Sequence, residues 1–217
     1  MIKAVSNKSN RQDKYPVGEY GVKVAQEVCA YHQSYPEYSM TPLVKLDNLA
    51  SALGVSKIMV KDESKRFGLN AFKVLGGSYC IGKYIAERLA LPEEKFNFTT
   101  LVSDEVKAQL GELTFVTATD GNHGRGVAWT ANRLGHKSVV FMPEGTVPER
   151  LENIRKLGSD ASITDMSYDD CVRKAKACAD EYGWVITQDT AWEGYEEIPK
   201  WIMQGYTTIA YEIIQQI

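Results

Sequence analysis

Two short stretches hold the residues with the most distinctive chemistry in this 217-residue chain. In the first, residues 70–78 (NAFKVLGGS), Lys73 follows Phe72 and precedes Gly76 and Gly77 at the start of a predicted helix. An amine held in a dry pocket among apolar neighbours loses its proton more readily and becomes nucleophilic. The stretch therefore indicates a lysine that forms a Schiff base with a carbonyl cofactor. A solvated surface lysine is the alternative.

The second stretch, residues 119–126 (TDGNHGRG), is a predicted strand-to-helix turn with little side-chain bulk. Gly121 and Gly124 lack a Cβ, so backbone could approach a flat ligand there, and Asn122 would give that ligand a polar contact. A dinucleotide-binding loop is a weaker alternative, since GNHGRG does not fit G-x-G-x-x-G. A tight turn that needs glycine only for packing is another.

Two aspartates, Asp120 and Asp189, each follow a predicted strand. In a parallel sheet the carboxyl ends of the strands share one rim, so both side chains could reach one ligand as proton acceptor or amine anchor. Helix capping is the commoner role of such aspartates. His123 is a weaker candidate, because a single ring in a glycine loop more often packs or donates a hydrogen bond.

The composition excludes several classes of protein. The 25 basic and 28 acidic residues give a net charge of -3 and no basic patch, so we expect no nucleic-acid partner. The four cysteines have no C-x-x-C spacing, which favours free thiols over disulfides or a metal site. No apolar run is long enough for a membrane helix. We expect a cytoplasmic protein with no membrane contact.

The remaining pattern predicts an α/β fold. After a polar lead-in over residues 1–17, helices are predicted at 18–33, at 41–53 with Thr41 as cap, and at 72–89. A short strand over 57–61 leads to a polar cluster at 62–64, where a strand end could meet a ligand. Strands at 114–119, 137–142, 161–164 and 184–188 then alternate with helices at 122–134, 147–157, 168–182 and 198–217. This alternation predicts a parallel sheet with helices on its faces.

Several motifs, taken in order, resemble the pyridoxal-phosphate enzymes of fold type II, the group of tryptophan synthase β and threonine dehydratase. The shared stretches are residues 41–43 (TPL), 61–64 (KDES), 70–73 (NAFK) and 120–124 (DGNHG). The match narrows to the diaminopropionate ammonia-lyases at residues 117–129 (TATDGNHGRGVAW), with Asp120 where dehydratases usually carry serine. Residues 188–195 (QDTAWEGY) narrow it further.

The resemblance implies a role for each site residue. Lys73 would bind pyridoxal 5'-phosphate covalently, and Asn122 would contact its 3-hydroxyl, with Phe72, Gly121, His123 and Gly124 also lining the cofactor. Asp120 would remove the α-proton of the D-substrate and Lys73 that of the L-isomer, while Asp189 would bind the substrate amine or assist proton transfer. The implied reaction converts 2,3-diaminopropionate to pyruvate and two ammonia.

The resemblance also predicts the organisation of the chain. Residues 1–90 would form the first part of a large cofactor domain, residues 91–190 a smaller α/β domain, and residues 191–217 the start of the remainder of the large domain. The phosphate-binding loop would lie beyond residue 217, so we expect an incomplete large domain, and we expect a homodimer. A non-catalytic, self-associating fragment and a serine/threonine dehydratase of the same fold are the alternatives.

Overall fold

The computed structural model describes residues 17–217. The predicted polar lead-in over residues 1–17 lies almost entirely outside the described residues. The helices in the described part are α1 (Val22–Gln33), α2 (Asp47–Leu53), α3 (Lys73–Arg88), α4 (Phe98–Leu101), α5 (Asp104–Leu110), α6 (Asn122–Arg133), α7 (Pro148–Arg155), α8 (Tyr168–Tyr182), α9 (Glu197–Gly205) and α10 (Thr207–Gln216). The strands are β1 (Leu43–Lys45), β2 (Met59–Lys61), β3 (Thr114–Ala118), β4 (Lys137–Met142), β5 (Asp160–Ile163) and β6 (Val185–Ile186).

Four strands form a parallel sheet in the order β5-β4-β3-β6. The central strand β3 is apolar and almost wholly buried, as expected of a parallel strand covered by helices on both faces. Helices α6 and α8 pack against it, with Val127 in one apolar cluster and Ala175 in another. The predicted alternation of strands and helices is therefore confirmed.

The prediction of one helix over residues 41–53 is wrong. Residues Leu43–Lys45 form β1, which pairs antiparallel with β2, and the helix begins only at Asp47. Thr41 does not cap it, because its hydroxyl donates instead to Glu63 Oε1 at 2.6 Å. The ribbon formed by β1 and β2 is separate from the parallel sheet, so the 62–64 cluster does not lie on that sheet's rim.

Few of the apolar side chains of the β1–β2 ribbon are buried. Val44, Met59 and Val60 are exposed, although their residue types suit a buried strand. An isolated two-stranded ribbon is only marginally stable in water. The ribbon therefore depends on contacts made at its end.

A buried ionic cluster supplies those contacts. Glu212 of α10 is 0% exposed and accepts hydrogen bonds from Arg66 Nη1 at 2.7 Å and from Tyr38 OH at 2.8 Å. Lys61, the last residue of β2, places Nζ 2.7 Å from Glu212 Oε2. Burial raises the pKa of Glu212, but the hydrogen bonds from Arg66 and Lys61 outweigh it and lower that pKa to about 2. The cluster ties α10 to the ribbon.

Helix α3 touches its neighbours backbone to backbone. A Cβ built on Gly126 of α6 would lie 2.9 Å from Val74 Cα, and one on Gly77 would lie 3.0 Å from the Gly126 carbonyl carbon. On the other side of α3, a Cβ on Gly205 of α9 would collide with the Leu75 carbonyl oxygen and lie 2.8 Å from Gly76 Cα. Missing side chains therefore set how closely α6 and α9 approach the first turns of α3.

All four cysteines are free, as the sequence predicts. Over residues 17–217, none of the helices combines the length and apolar character needed to cross a bilayer.

We predict that Gly205→Ala destabilises the protein. The new methyl group meets backbone of α3, which cannot rotate away, so we expect a loss of about 1–3 kcal/mol, the usual cost of overpacking. Gly18→Ala is the control, because a Cβ there meets no atom within 4 Å. The measurement is the urea midpoint of each variant; equal midpoints for the two variants would contradict the tight contact.

We also predict that Glu212→Gln lowers the free energy of unfolding by about 3–5 kcal/mol at pH 7, since it leaves the buried ammonium of Lys61 without its carboxylate, whereas Arg66 keeps Glu63. The folded-state pKa lies below the ordinary 4.5, so this carboxylate stabilises fully above pH 4.5 and progressively less as the pH falls toward 2. The difference between wild type and variant should shrink over that window in urea titrations. Glu87→Gln, which removes an exposed pair with Lys83, should cost less than about 1 kcal/mol.

Candidate active site

A cleft of about 400 Å³ opens between the start of α3, the turn after β3 and helix α7. It lies at the carboxyl end of the parallel sheet, where open α/β sheets bind ligands. Three of the predicted site residues from the turn and Lys73 from α3 meet there. The lining residues are Lys73, Asp120, Gly121, Asn122, Arg125, Val147, Glu149, Arg150 and Asn153.

Lys73 is the first residue of α3. Asn70, three residues earlier, has a φ of +53°, a left-handed conformation that asparagine tolerates well, and the chain turns there into the helix. The side chain of Lys73 is 37% exposed, and Nζ donates to Asp189 Oδ2 at 2.7 Å. The structure thus differs from the expected apolar pocket, because the nearest group to the amine is a carboxylate.

Asp189 brings its carboxylate to this amine from the far side of the site. It follows β6, the parallel neighbour of β3, so the predicted shared rim accounts for its position. Burial raises the pKa of Asp189, but His123 and the hydrogen bond from Lys73 outweigh burial and hold that pKa below its ordinary value. The carboxylate is therefore an anion near neutral pH and can anchor an amine.

Asp120 occupies a different position on the same rim. Its side chain is 78% exposed at the cleft, 3.8 Å from Arg150 Nη1, and its backbone carbonyl accepts a 2.9 Å hydrogen bond from that atom. A carboxylate open to the cleft is accessible to a substrate. Both predicted aspartates therefore lie at the site, one paired with Lys73 and one facing the entrance.

The turn between β3 and α6 is held by hydrogen bonding and by close packing. Thr119 Oγ1 accepts from the amide of Gly121 at 3.0 Å, and α6 then begins at Asn122, whose side chain is exposed on the cleft. Gly124 faces inward, where a Cβ would collide with Thr119 and lie 3.0 Å from Val140 Cγ1. The missing side chain of Gly124 therefore serves packing, and any contact of this residue with a cofactor stays a prediction.

His123 is 2% exposed and lies beneath the cleft. Its Nε2 donates to the Thr187 carbonyl at 2.6 Å, and its Nδ1 is 3.9 Å from Asp189 Oδ2 without a hydrogen-bond partner. Burial lowers the pKa of His123, and Asp189 opposes that effect only in part. The ring is therefore neutral near pH 7.

Phe72 does not line the cleft. Its ring packs edge-on against Tyr206, with centroids 5.2 Å apart, and is 39% exposed. Its predicted cofactor contact stays a prediction.

The sequence analysis missed the supporting roles of three residues, Gln188, Tyr168 and Arg150. Gln188 accepts a 3.0 Å hydrogen bond from the Ala118 amide and donates to Tyr168 OH at 2.8 Å, so it fixes the segment that carries Asp189. Arg150 covers the Asp120 turn from α7. Gln188 could have been noticed as a polar residue at a strand end, but nothing in the sequence pairs it with Tyr168, twenty residues earlier.

A second, wider groove of about 620 Å³ lies elsewhere, between α1 and α3. Its walls include Lys23, Tyr79 and Glu94 and none of the predicted site residues. Of these two grooves, only the first cleft brings together Lys73, Asp120 and Asn122, so we assign the candidate site there.

Comparison of the sequence with known protein families gives a match over most of the chain. Residues 35–217 match the family described as "Pyridoxal-phosphate dependent enzyme". This chain belongs to that family. Pyridoxal phosphate is therefore the cofactor of the class, and the predicted α/β fold of type II is confirmed.

Among individual relatives, the diaminopropionate ammonia-lyase of Salmonella typhimurium (strain LT2) is 51% identical over 96% of this chain and 53% of its own length. The Escherichia coli (strain K12) protein of that name is 52% identical over 86% of this chain and 46% of its own. The crystal structure of the Escherichia coli enzyme in apo form superposes with a TM-score of 0.87 at 48% identity, covering 94% of this chain and 54% of that one. The chain thus spans about half the length of the curated relatives it matches.

Proposed function

We propose that this chain carries catalytic residues of a pyridoxal-phosphate-dependent ammonia-lyase that converts 2,3-diaminopropionate and water to pyruvate and two ammonia. The observation that carries the proposal is the position of Lys73, the only amine among the described residues that line the cleft. Its Nζ is hydrogen-bonded to Asp189, and it shares the cleft with Asn122 and Asp120. The 51% identity to a diaminopropionate ammonia-lyase supports the substrate.

The residues present fit the cofactor. A carbonyl group needs a primary amine, and Lys73 supplies one at the mouth of the cleft, while Asn122 gives a neutral amide for a ring hydroxyl. The first turn of α6, a helix of 12 residues, adds backbone N–H groups and a positive dipole end beside the same opening. When bound, pyridoxal phosphate supplies an electron sink for the carbanion formed at the substrate α-carbon.

The two carboxylates would take different tasks. Asp120, exposed at the entrance, would accept the α-proton of the D-isomer on its carboxylate, and Lys73 Nζ would accept that of the L-isomer from the opposite side. Asp189 would hold a substrate amine after its bond to Lys73 is released. We therefore assign Lys73 and Asp120 as bases for opposite isomers and Asp189 as an anchor.

The charges around the cleft also suit this substrate. Diaminopropionate carries one carboxylate and two amines, and the wall provides guanidinium groups from Arg125 and Arg150 together with carboxylates from Asp120 and Glu149. Opposite charges in one small cleft complement such an ion better than they complement the uncharged hydroxyl side chain of threonine. This mixture favours diaminopropionate over threonine.

We also propose the domain division at residues 90 and 190, since the four-stranded sheet falls between them, at 114–186. A cytoplasmic location is supported by four free thiols, which persist in reducing compartments. The homodimer is proposed from the resemblance alone.

We predict that Lys73→Ala abolishes covalent attachment of pyridoxal phosphate, because no other amine lines the cleft in the described part of the chain. The measurement is the mass of the protein after incubation with the cofactor and reduction with borohydride. Lys83→Ala, on the same helix outside the cleft, should gain the cofactor mass as wild type does. A cofactor mass on the Lys73 variant at the cleft would contradict the assignment.

We predict that Asp120→Asn lowers turnover of D-diaminopropionate by about 10²–10⁴-fold, the usual contribution of a general base, and turnover of the L-isomer far less. Pyruvate release from each isomer is measured on the cofactor-loaded protein. Asp104→Asn, on α5 away from the cleft, is the control.

Three outcomes would count against the proposals. If Asp120→Asn lowered turnover of the D-isomer and the L-isomer equally, Asp120 would not be the base for the D-isomer. Pyruvate from L-serine but not from diaminopropionate would replace the proposed function with a dehydratase. Protein that takes up no cofactor at all would favour the non-catalytic fragment.

A further inference from the structure

His123 has one ring nitrogen without a hydrogen-bond partner, and none of the roles proposed above uses it. Nδ1 is buried, has no hydrogen-bond partner and points toward the carboxylate of Asp189, 3.9 Å away. Buried polar atoms are nearly always paired, so an unpaired one beside an active site needs an explanation.

The hydrogen bond on the other side of the ring fixes which nitrogen carries the proton. Nε2 lies 2.6 Å from the Thr187 carbonyl oxygen, which can only accept, so Nε2 must be the N–H of the neutral ring. Nδ1 then presents a lone pair. Asp189 Oδ2, an ionised oxygen, also presents lone pairs, so two acceptors face each other with room for one proton.

The same carboxylate oxygen also binds the amine. Oδ2 accepts the 2.7 Å hydrogen bond from Lys73 Nζ. Asp189 therefore stands between Lys73 on α3 and His123 on α6, and a single oxygen faces both nitrogens.

We propose that His123 is the proton store for Lys73, with Asp189 as the carrier between them. An N–H bond of the Lys73 ammonium breaks, its electron pair stays on Nζ, and the proton passes through Oδ2 to form an N–H bond at His123 Nδ1. The inference rests on the proposed role of Lys73 as the amine that meets the cofactor, since that amine must lose a proton to act as a nucleophile.

The charge of the cluster does not change in this step. Before it, Lys73 is a cation beside the Asp189 anion and a neutral ring; after it, the cation is His123 and the amine is neutral. Asp189 keeps a cationic partner throughout, so no unpaired charge is left in a largely buried site. The site can free its amine without passing the proton to bulk water.

The proton affinity of the ring depends on the charge of Lys73. The charged groups that face His123 are Asp189, from the segment after β6, and Lys73, from α3. Burial lowers the pKa of His123 most, Asp189 raises it, and the positive charge of Lys73 lowers it again. Loss of the lysine charge therefore raises the affinity of His123 for a proton.

The test uses the cofactor-free chain labelled with ¹⁵N at its three histidines. NMR titration follows Nδ1 of His123 in wild type, Lys73→Met and Lys73→Arg, with His123→Gln to assign the signal. We expect the titration midpoint of His123 to move to higher pH in Lys73→Met and to stay at the wild-type value in Lys73→Arg, which keeps the charge. Asp189→Asn, combined with Lys73→Met, should cancel the upward shift.

Internal and external controls accompany this titration. His32 is buried with its pKa lowered to about 3, so its signal should not titrate near neutral pH in any variant. Lys83→Met, which removes a lysine from the same helix outside the cleft, should leave His123 unchanged. An unchanged His123 midpoint in folded Lys73→Met would overturn the proposal.

A second measurement does not depend on the Lys73 variants. In wild type loaded with pyridoxal phosphate, His123 should carry protons on both nitrogens at pH 7, whereas the cofactor-free protein should carry one on Nε2 alone. A neutral ring in the loaded protein would contradict the proton store while leaving the proposed function intact. Failure of the chain to take up the cofactor would count against the proposed function, and the cofactor-free titration would still decide the role of His123.

Discussion

The close backbone contact between α3 and its two neighbouring helices determines the geometry of the whole site. Gly77 and Gly126 let the first turns of α3 and α6 meet without side chains between them, and Gly205 does the same for α9. Lys73 begins one of these helices and Asn122 another, so main-chain contact sets how far apart the starts of α3 and α6 lie. Residues carried on packed helices are positioned more precisely than residues carried on loops.

The ion pair between Asp189 and Lys73 then brings a third element of the fold to the site. Asp189 reaches Lys73 because β6 lies beside β3 in the sheet, and Gln188 holds that segment to the Ala118 amide. The same carboxylate approaches His123 beneath the cleft. One anion thus links three separate elements of the fold, which explains why a residue 116 positions after Lys73 belongs to the same site.

The sequence predicted those parts of the fold that depend on local pattern. The strand Lys137–Met142 and the helix Tyr168–Tyr182 are predicted with the bounds observed, since a short apolar run and helical spacing are local signals. Thr41 was misread because threonine before proline is typical of a helix start, whereas its hydroxyl binds Glu63 in a contact that only the tertiary structure creates. Arg150 escaped notice for the same reason, since its partner Asp120 lies thirty residues earlier.

The cluster around Glu212 has a consequence for how the protein opens. The β1–β2 ribbon has two strands and exposed apolar side chains, and its attachment to α10 runs through Lys61 and Arg66. Separating α10 from the ribbon would part the buried carboxylate of Glu212 from Lys61 and from Arg66, which would keep only Glu63, so partial fraying of either element is unfavourable. We therefore expect α10 and the β1–β2 ribbon, which are distant in sequence, to open as one cooperative unit, with their amides exchanging with solvent together.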